Sequence, residues 1–376
     1  MPQPPIFVTR PFLPPIQDLL PWLEGIWERR ILTNNGPLVK QLEAQMTELL
    51  QVPRLSLMNN GTSALIAALA TLPKKSQVIT TSFTFAASTH AITMVGLQPV
   101  FADIDPDYFC LDPDAVEQAI TENTSAILAV HTYGTACHVD ALSEIATRHN
   151  LKLIYDASHA FGVTYKNKSL LSYGDMATLS FHPTKSFNTF EGGAVVTTSA
   201  AEAATIDLIK NFGIQGEAEI PTVGFNGKMS ELHAAVGLAQ LPYFSQVREM
   251  RRQVHNWYMS TLTDISQISM RKLQPETKSN YTYFPILIDR ESPKTRDQLF
   301  QELQRAGIMT RRYFFPLTSS LPSYSELPSA RADNLPVAND IGNRVLCLPI
   351  YPELSEDDLK QVLSALKHCF AVPGRY

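Results

Sequence analysis

Between about Val52 and Thr198, short apolar runs alternate with stretches whose apolar residues recur at helical spacing, and this alternation constrains the fold more than any other feature of the chain. The runs are "QVITTSFTF", "QPVFADI", "SAILAVHTYG", "LKLIYDAS", "MATLSF" and "GAVVTT". Between them, "DPDAVEQAITEN" and "DALSEIATRHN" begin with acidic turns, which suit the partial positive charge of a helix N-terminus. Strand and helix repeated in this way predict a mostly parallel sheet covered by helices. The stretch "MSELHAAVGLAQLPYFSQVREMRRQVHNWYMSTL" then reads as a long helix leaving the sheet, with a break or kink at Pro242. The expected division is an N-terminal arm and large α/β domain over residues 1–242, followed by a smaller α+β domain over 243–376. The smaller domain is assembled from "YTYFPILI", "VLCLPI" and the helices "TRDQLFQELQRAG" and "SEDDLKQVLSALKHCF".

Charge narrows the choice of partner. The 31 basic and 36 acidic residues leave a net charge of −5 and form no long block of one sign, so neither a nucleic acid nor a membrane is expected as partner. The proline-rich start "MPQPPIFVTRPFLPP" has no continuous apolar core, and no later segment approaches the roughly 18 apolar residues of a membrane span. The expectation is a cytoplasmic protein. Cys110, Cys137, Cys347 and Cys369 form no C-x-x-C pair and are expected to be buried free thiols.

Several short stretches could carry chemistry. In "SLMNNGTSAL" an apolar run meets Gly61, Thr62 and Ser63 immediately before a helix of small residues, which outlines an anion site of free backbone amides and hydroxyl donors. An ordinary helix cap would have the same outline. Neither G-x-G-x-x-G after the early strand nor G-x-x-x-x-G-K-[ST] is present, which removes the main support for dinucleotide and P-loop readings. In "LKLIYDASHAFG", Asp156 closes an apolar run and His159 follows three residues later; an aspartate at the carboxyl end of a parallel strand faces the crevice where such sheets hold ligands. Phe85, in "TSFTFAASTH", can stack on a flat ring at the same edge or simply belong to the core. "HTYGTACHVD" matches no common zinc spacing, so no metal site is expected there. Lys185, in "SFHPTKSFNTFEGGAVVTTS", sits between a strand-like run and a glutamate followed by two glycines. A phosphate cradle, an aromatic plate, an aspartate at a sheet end and a later lysine together suit pyridoxal 5′-phosphate, a planar, phosphorylated pyridine aldehyde.

The stretches "LTNNGPLVKQLE", "NNGTSAL", "VITTSFTFAAST", "PVFADIDPD", "VHTYG", "YDASHAFG", "SFHPTKSFNTFEGGAVV", "GFNGKMSELHAAVGL", "RRYFFPL" and "LCLPIYPEL" resemble, in that order, the sugar aminotransferases of the DegT/DnrJ/EryC1/StrS family. The resemblance implies the aspartate-aminotransferase-like fold type I and pyridoxal 5′-phosphate as cofactor. It gives Lys185 the part of the Schiff-base lysine, Asp156 that of the pyridine-nitrogen partner, and His159 a place near the cofactor's phenolic oxygen. Phe85 becomes the stacking aromatic, and Gly61, Thr62, Ser63 and Ser180 become phosphate-binding residues. Asn226 and Lys228 match a loop that reaches the phosphate of the neighbouring subunit, which implies a homodimer with shared sites. Lys228 stands where many relatives have arginine, so a point charge replaces a planar fork. The implied reaction is amination at C4 of dTDP-4-dehydro-6-deoxy-D-glucose with L-glutamate as donor. The alternatives are a 3-aminotransferase, an enzyme for a UDP- or GDP-linked ketosugar, and a non-catalytic relative that binds cofactor or sugar nucleotide.

Overall fold

A computed structural model describes residues 4–370. The strands of the first half are β1 (Arg54–Met58), β2 (Gln77–Thr81), β3 (Gln98–Ala102), β4 (Thr124–Val130), β5 (Lys152–Asp156), β6 (Thr164–Tyr165), β7 (Lys168–Ser169), β8 (Met176–Ser180) and β9 (Gly193–Thr197). Seven of them form one sheet in the order β1-β9-β8-β5-β4-β2-β3. β9 runs against both of its neighbours, and the other pairings are parallel. β1, legible in the sequence only as a short apolar run, gains its place by pairing with β9, more than a hundred residues on.

Alternation along each strand explains why both faces of the sheet are covered. In β4, Ile127 and Ala129 face one side while Ala126 and Leu128 face the other, and all four are fully buried. The first side is packed by α1 (Ile16–Arg29), α2 (Pro37–Leu50), α5 (Pro113–Ala119), α6 (Val139–Arg148) and α8 (Glu231–Gln240). The second is packed by α3 (Gly61–Leu69), α4 (Ala86–Met94) and α7 (Ala200–Ile209).

One buried carboxylate supports this packing. Helix α2 begins after Gly36, which has no capping side chain, and Glu231 supplies the missing acceptor: its two carboxylate oxygens each lie 3.0 Å from a backbone N–H, those of Leu38 and Val39. Glu231 is fully buried, so the free amides and the helix dipole are its compensation. A Glu231→Ala variant leaves those donors unmet and is expected to lose about 2–3 kcal/mol of stability, measured by denaturant unfolding. A change below about 0.5 kcal/mol would show that water replaces the carboxylate without cost.

After α8 the chain passes through a tight turn at Leu241–Tyr243, which contains Pro242, and enters α9 (Phe244–Thr261). Beyond it, β10 (Ile268–Met270), β12 (Phe284–Ile288) and β13 (Val345–Leu348) form an antiparallel sheet in the order β10-β12-β13. α10 (Arg296–Arg305) and α12 (Glu356–Phe370) pack on it, and α11 (Pro336–Arg344) precedes β13. The short β11 (Thr277–Lys278) instead extends the β6–β7 hairpin of the first unit. The arm at the start of the chain also crosses over: Ile6 pairs in parallel with Ile308 and is buried in the core of the second unit. A mixed cluster of Phe83, Tyr133, Phe314 and Leu317 joins the two sheets. None of the helices among the described residues is long and apolar enough to cross a membrane.

Candidate active site

The parallel strands deliver their carboxyl ends to one edge, and the residues expected to act converge there. Asn60 caps α3, its Oδ1 accepting the Ser63 N–H at 2.8 Å, so the first amides of α3 face outward from the sheet edge. Gly193 is the register partner of both Met58 and Ser180, which places the ends of β1 and β8 on either side of it. A Cβ on Gly193 would lie 2.5 Å from the Asn60 carbonyl oxygen, and one on Gly61 would lie 2.6 Å from the Cβ of Ser180. Glycine is required at both positions by close approach. The result is a cradle in which Gly61, Thr62 and Ser63 at a helix N-terminus meet the Ser180 hydroxyl, a donor set that fits a phosphate group.

Asp156 ends β5 and is buried. Its Oδ2 accepts from Ser88 Oγ at 2.7 Å and its Oδ1 from the Ser158 N–H at 3.1 Å. Ser88 in turn shares a hydrogen bond of 2.8 Å with Thr84. The carboxylate is therefore held on two sides with a defined aim, and that fits a group presenting an N–H, such as a protonated pyridine. His159 is buried, and its Nδ1 accepts the Tyr133 N–H at 3.2 Å, which puts the proton of the neutral ring on Nε2. Burial, together with the positive charge of Lys185, holds its pKa well below the ordinary value and keeps the ring neutral. The ring stacks against Phe314 with centroids 5.7 Å apart.

Lys185 follows β8 by five residues, and its half-buried amine donates to the Tyr283 hydroxyl at 3.2 Å. Loss of solvent lowers its pKa to about 8, with Asp156 opposing the shift. Asn280 fixes the loop above it, donating to the carbonyls of His159 at 2.8 Å and Phe161 at 3.0 Å. Phe85 stands at the N-cap of α4 and is 60% exposed, so its ring is open to a ligand at this edge and does not serve the core.

Asn226 and Lys228 do not join this group. Their strand-like loop lies beside the end of β1, where Asn59 donates to the Asn226 and Gly227 carbonyls. The Lys228 amine bonds Asn211 at 2.6 Å and lies over the Phe212 ring, while Asn226 is exposed. His131 and Cys137 of the rejected metal stretch bind each other through Cys137 N–H and His131 Nδ1, and His131 stacks on Tyr155. Among the described residues no group of three or more histidines, cysteines or carboxylates is placed to hold a metal ion.

Ser88, Asn280 and Tyr283 escape a reading of the sequence. Ser88 lies 68 residues from Asp156, and Tyr283 lies 98 residues from Lys185. The hydroxyl-rich run "TSFTFAAST" after a strand was the only local signal for the first, and "KSNYTY" carried none that distinguishes it from a polar loop.

A sheet whose carboxyl edge combines a helix N-terminus packed on Ser180 with a fixed aspartate and a low-pKa lysine has the architecture of a pyridoxal-phosphate-dependent aminotransferase of fold type I. The chain belongs to the DegT/DnrJ/EryC1/StrS aminotransferase family, whose sequence profile matches residues 17–367. It is 44% identical over 363 residues to a dTDP-4-amino-4,6-dideoxy-D-glucose transaminase of Shigella dysenteriae, covering 96% of this chain and 98% of that one. Its fold superposes with a TM-score of 0.92 on the crystal structure of DesI in the presence of its TDP-sugar product, at 37% identity over 98% of this chain and 93% of that one. It also resembles NtdA from Bacillus subtilis with bound cofactor PMP, with a TM-score of 0.86 and 28% identity over 94% of this chain and 82% of that one.

Proposed function

We propose that the protein transfers an amino group from L-glutamate to C4 of a nucleotide-linked 4-keto-6-deoxy sugar, with dTDP-4-dehydro-6-deoxy-D-glucose as substrate and dTDP-4-amino-4,6-dideoxy-D-glucose, dTDP-viosamine, as product. The observation that carries the reading is that Lys185, which feels the charge of Asp156, follows β8 by five residues, while Ser180 at the end of β8 packs against Gly61 at the start of α3. Similarity to the transaminase of Shigella dysenteriae supports the choice of sugar.

When bound, pyridoxal phosphate supplies an aldehyde that takes up an amino group and a protonated ring that accepts the electron pair left by a broken C–H bond. The residues divide the remaining work. Gly61, Thr62, Ser63 and Ser180 hold the phosphate. Asp156, fixed by Ser88, keeps a proton on the ring nitrogen. His159 would offer its Nε2–H to a group held at this edge, and the exposed Phe85 would offer it a ring face. Lys185 would hold the cofactor, and at a pKa of about 8 its amine, when free, can both accept and return a proton near neutral pH. Four buried free thiols suit a cytoplasmic setting.

The same reading makes the enzyme a homodimer in which Asn226 and Lys228 serve the partner's phosphate. Exposed Phe190, Phe212 and Leu232 lie in or around the segments that would meet the partner. Mixing an Asn226→Ala/Lys228→Ala chain with a Lys185→Ala chain leaves one fully intact site per heterodimer under this arrangement. Activity per heterodimer is expected to return to roughly half of the parent value if the sites act independently. No recovery after confirmed subunit exchange would place the loop in its own subunit's site.

The substrate is tested by incubating the enzyme with glutamate and a panel of dTDP-, UDP- and GDP-linked 3-keto and 4-keto sugars, then identifying products by NMR. The expected result is amination at C4 of the dTDP sugar. Preference for another base or for C3 would overturn the substrate assignment and leave the chemistry standing.

A further inference from the structure

Among the described residues the Lys185 amine has one hydrogen-bond partner, and it comes from a segment far along the chain. Tyr283 opens the segment that leads into β12, and its hydroxyl accepts from Lys185 Nζ at 3.2 Å. Its ring is fixed on three sides: edge-on to His159 with centroids 4.8 Å apart, tilted against Tyr133 at 5.4 Å, and perpendicular to Tyr313 at 5.5 Å. The residue before it is held as well. Asn280 Oδ1 accepts the Thr282 N–H and hydroxyl, and the buried Arg251 donates to the Thr282 carbonyl. Tyr283, Thr184 and Thr282 also line a small cavity under the N-terminal arm, against Val8 and Thr9.

We propose that Tyr283 is a positioning residue for Lys185: its hydroxyl receives the lysine amine whenever that amine is free and holds it with the lone pair turned toward the reacting carbon. The chemistry follows from the direction of the hydrogen bond. An amine that donates an N–H to the phenol keeps its lone pair available as a base, whereas an amine free to rotate spends part of its time facing away. Burial raises the Tyr283 hydroxyl well above its ordinary range, so the phenol does not take the proton for itself as phenolate. As an acceptor it also favours the charged amine. The placement has a further consequence. Because Tyr283 belongs to the second unit and Lys185 to the first, a correct approach of the two units is needed before the amine is aimed.

Tyr283→Phe keeps the ring packing and removes only the hydroxyl. Two readouts follow. In the cofactor-free full chain, the pH midpoint for reaction of Lys185 with trinitrobenzenesulfonate, followed by peptide mass spectrometry, is expected to fall by about half a unit or more, because the charged amine loses an acceptor. In the loaded enzyme, kcat is expected to fall roughly ten- to a hundredfold with KM for the ketosugar within about threefold of the parent. Tyr313→Phe, which removes a neighbouring hydroxyl not bonded to Lys185, is expected to leave the midpoint in place. An unchanged midpoint in Tyr283→Phe, or a loss expressed wholly in KM, would overturn the assignment. The inference rests on Lys185 carrying the chemistry. Failure of that premise is separately visible, since borohydride would then fix no cofactor on Lys185 in the parent enzyme.

Discussion

Lys185→Ala is expected to bind pyridoxal phosphate through the cradle and ring contacts while turnover falls by about 10⁴-fold or more, because the substitution removes both the covalent attachment and the group that moves the proton. Neighbouring bases are engaged elsewhere among the described residues: His182, in the loop before Lys185, shares a hydrogen bond with Thr184, and His159 is buried and held neutral with its pKa well below the ordinary value, its Nδ1 committed to the Tyr133 amide. Lys228 is turned away to Asn211 within its own chain. Turnover is read by following amino transfer to the ketosugar, and cofactor retention by equilibrium dialysis. Activity within about tenfold of the parent would assign the proton transfer to another group.

Asp156→Asn is the second large effect, expected at about 10³-fold in kcat. The amide is nearly the same size and can still accept from Ser88 or the Ser158 N–H, so the fold and the cradle survive. The lost property is the negative charge that holds a proton on the ring nitrogen, and without that proton the ring is a poor acceptor of the electron pair. The carboxylate also favours the charged form of Lys185. Its removal therefore lowers the Lys185 pKa further, and the pH at which the free amine becomes neutral moves down with it. Steady-state rates across pH 6 to 9 with the dTDP ketosugar provide the measurement. A kcat within about threefold of the parent would deny Asp156 its place opposite the ring.

Much of this site could be read before any fold was known, and the reason is geometric. In a parallel α/β sheet each strand's carboxyl end reaches the same edge, so a residue that ends a strand-like run is placed by its own local sequence. Asp156, Ser180 and the Gly61–Ser63 cap are of this kind. Lys185 follows β8 closely enough to share the edge. Residues fixed by contacts across the chain had no such marker. Ser88 looks like any serine in the first turn of a helix until β5 is laid beside α4 and its hydroxyl meets Asp156. Tyr283 reads as a strand residue of the second unit, and only the docking of that unit brings it to Lys185. Glu231 reads as a solvated first-turn glutamate, yet it is fully buried because α2 begins on it. The strand order was hidden for a related reason: the place of β1 depends on the antiparallel β9, which no periodicity in either segment reveals. Asn226 and Lys228 differ again, since their proposed target belongs to a second copy of the chain.

Covalent trapping shows whether Lys185 carries the cofactor. The enzyme is loaded with pyridoxal phosphate, reduced with borohydride, digested and mapped by mass spectrometry. The expected result is one phosphopyridoxyl group per chain, on the peptide that contains Lys185, with none in Lys185→Ala. A label on another lysine such as Lys228, or no label on a chain that nevertheless catalyses amino transfer, would contradict the claim.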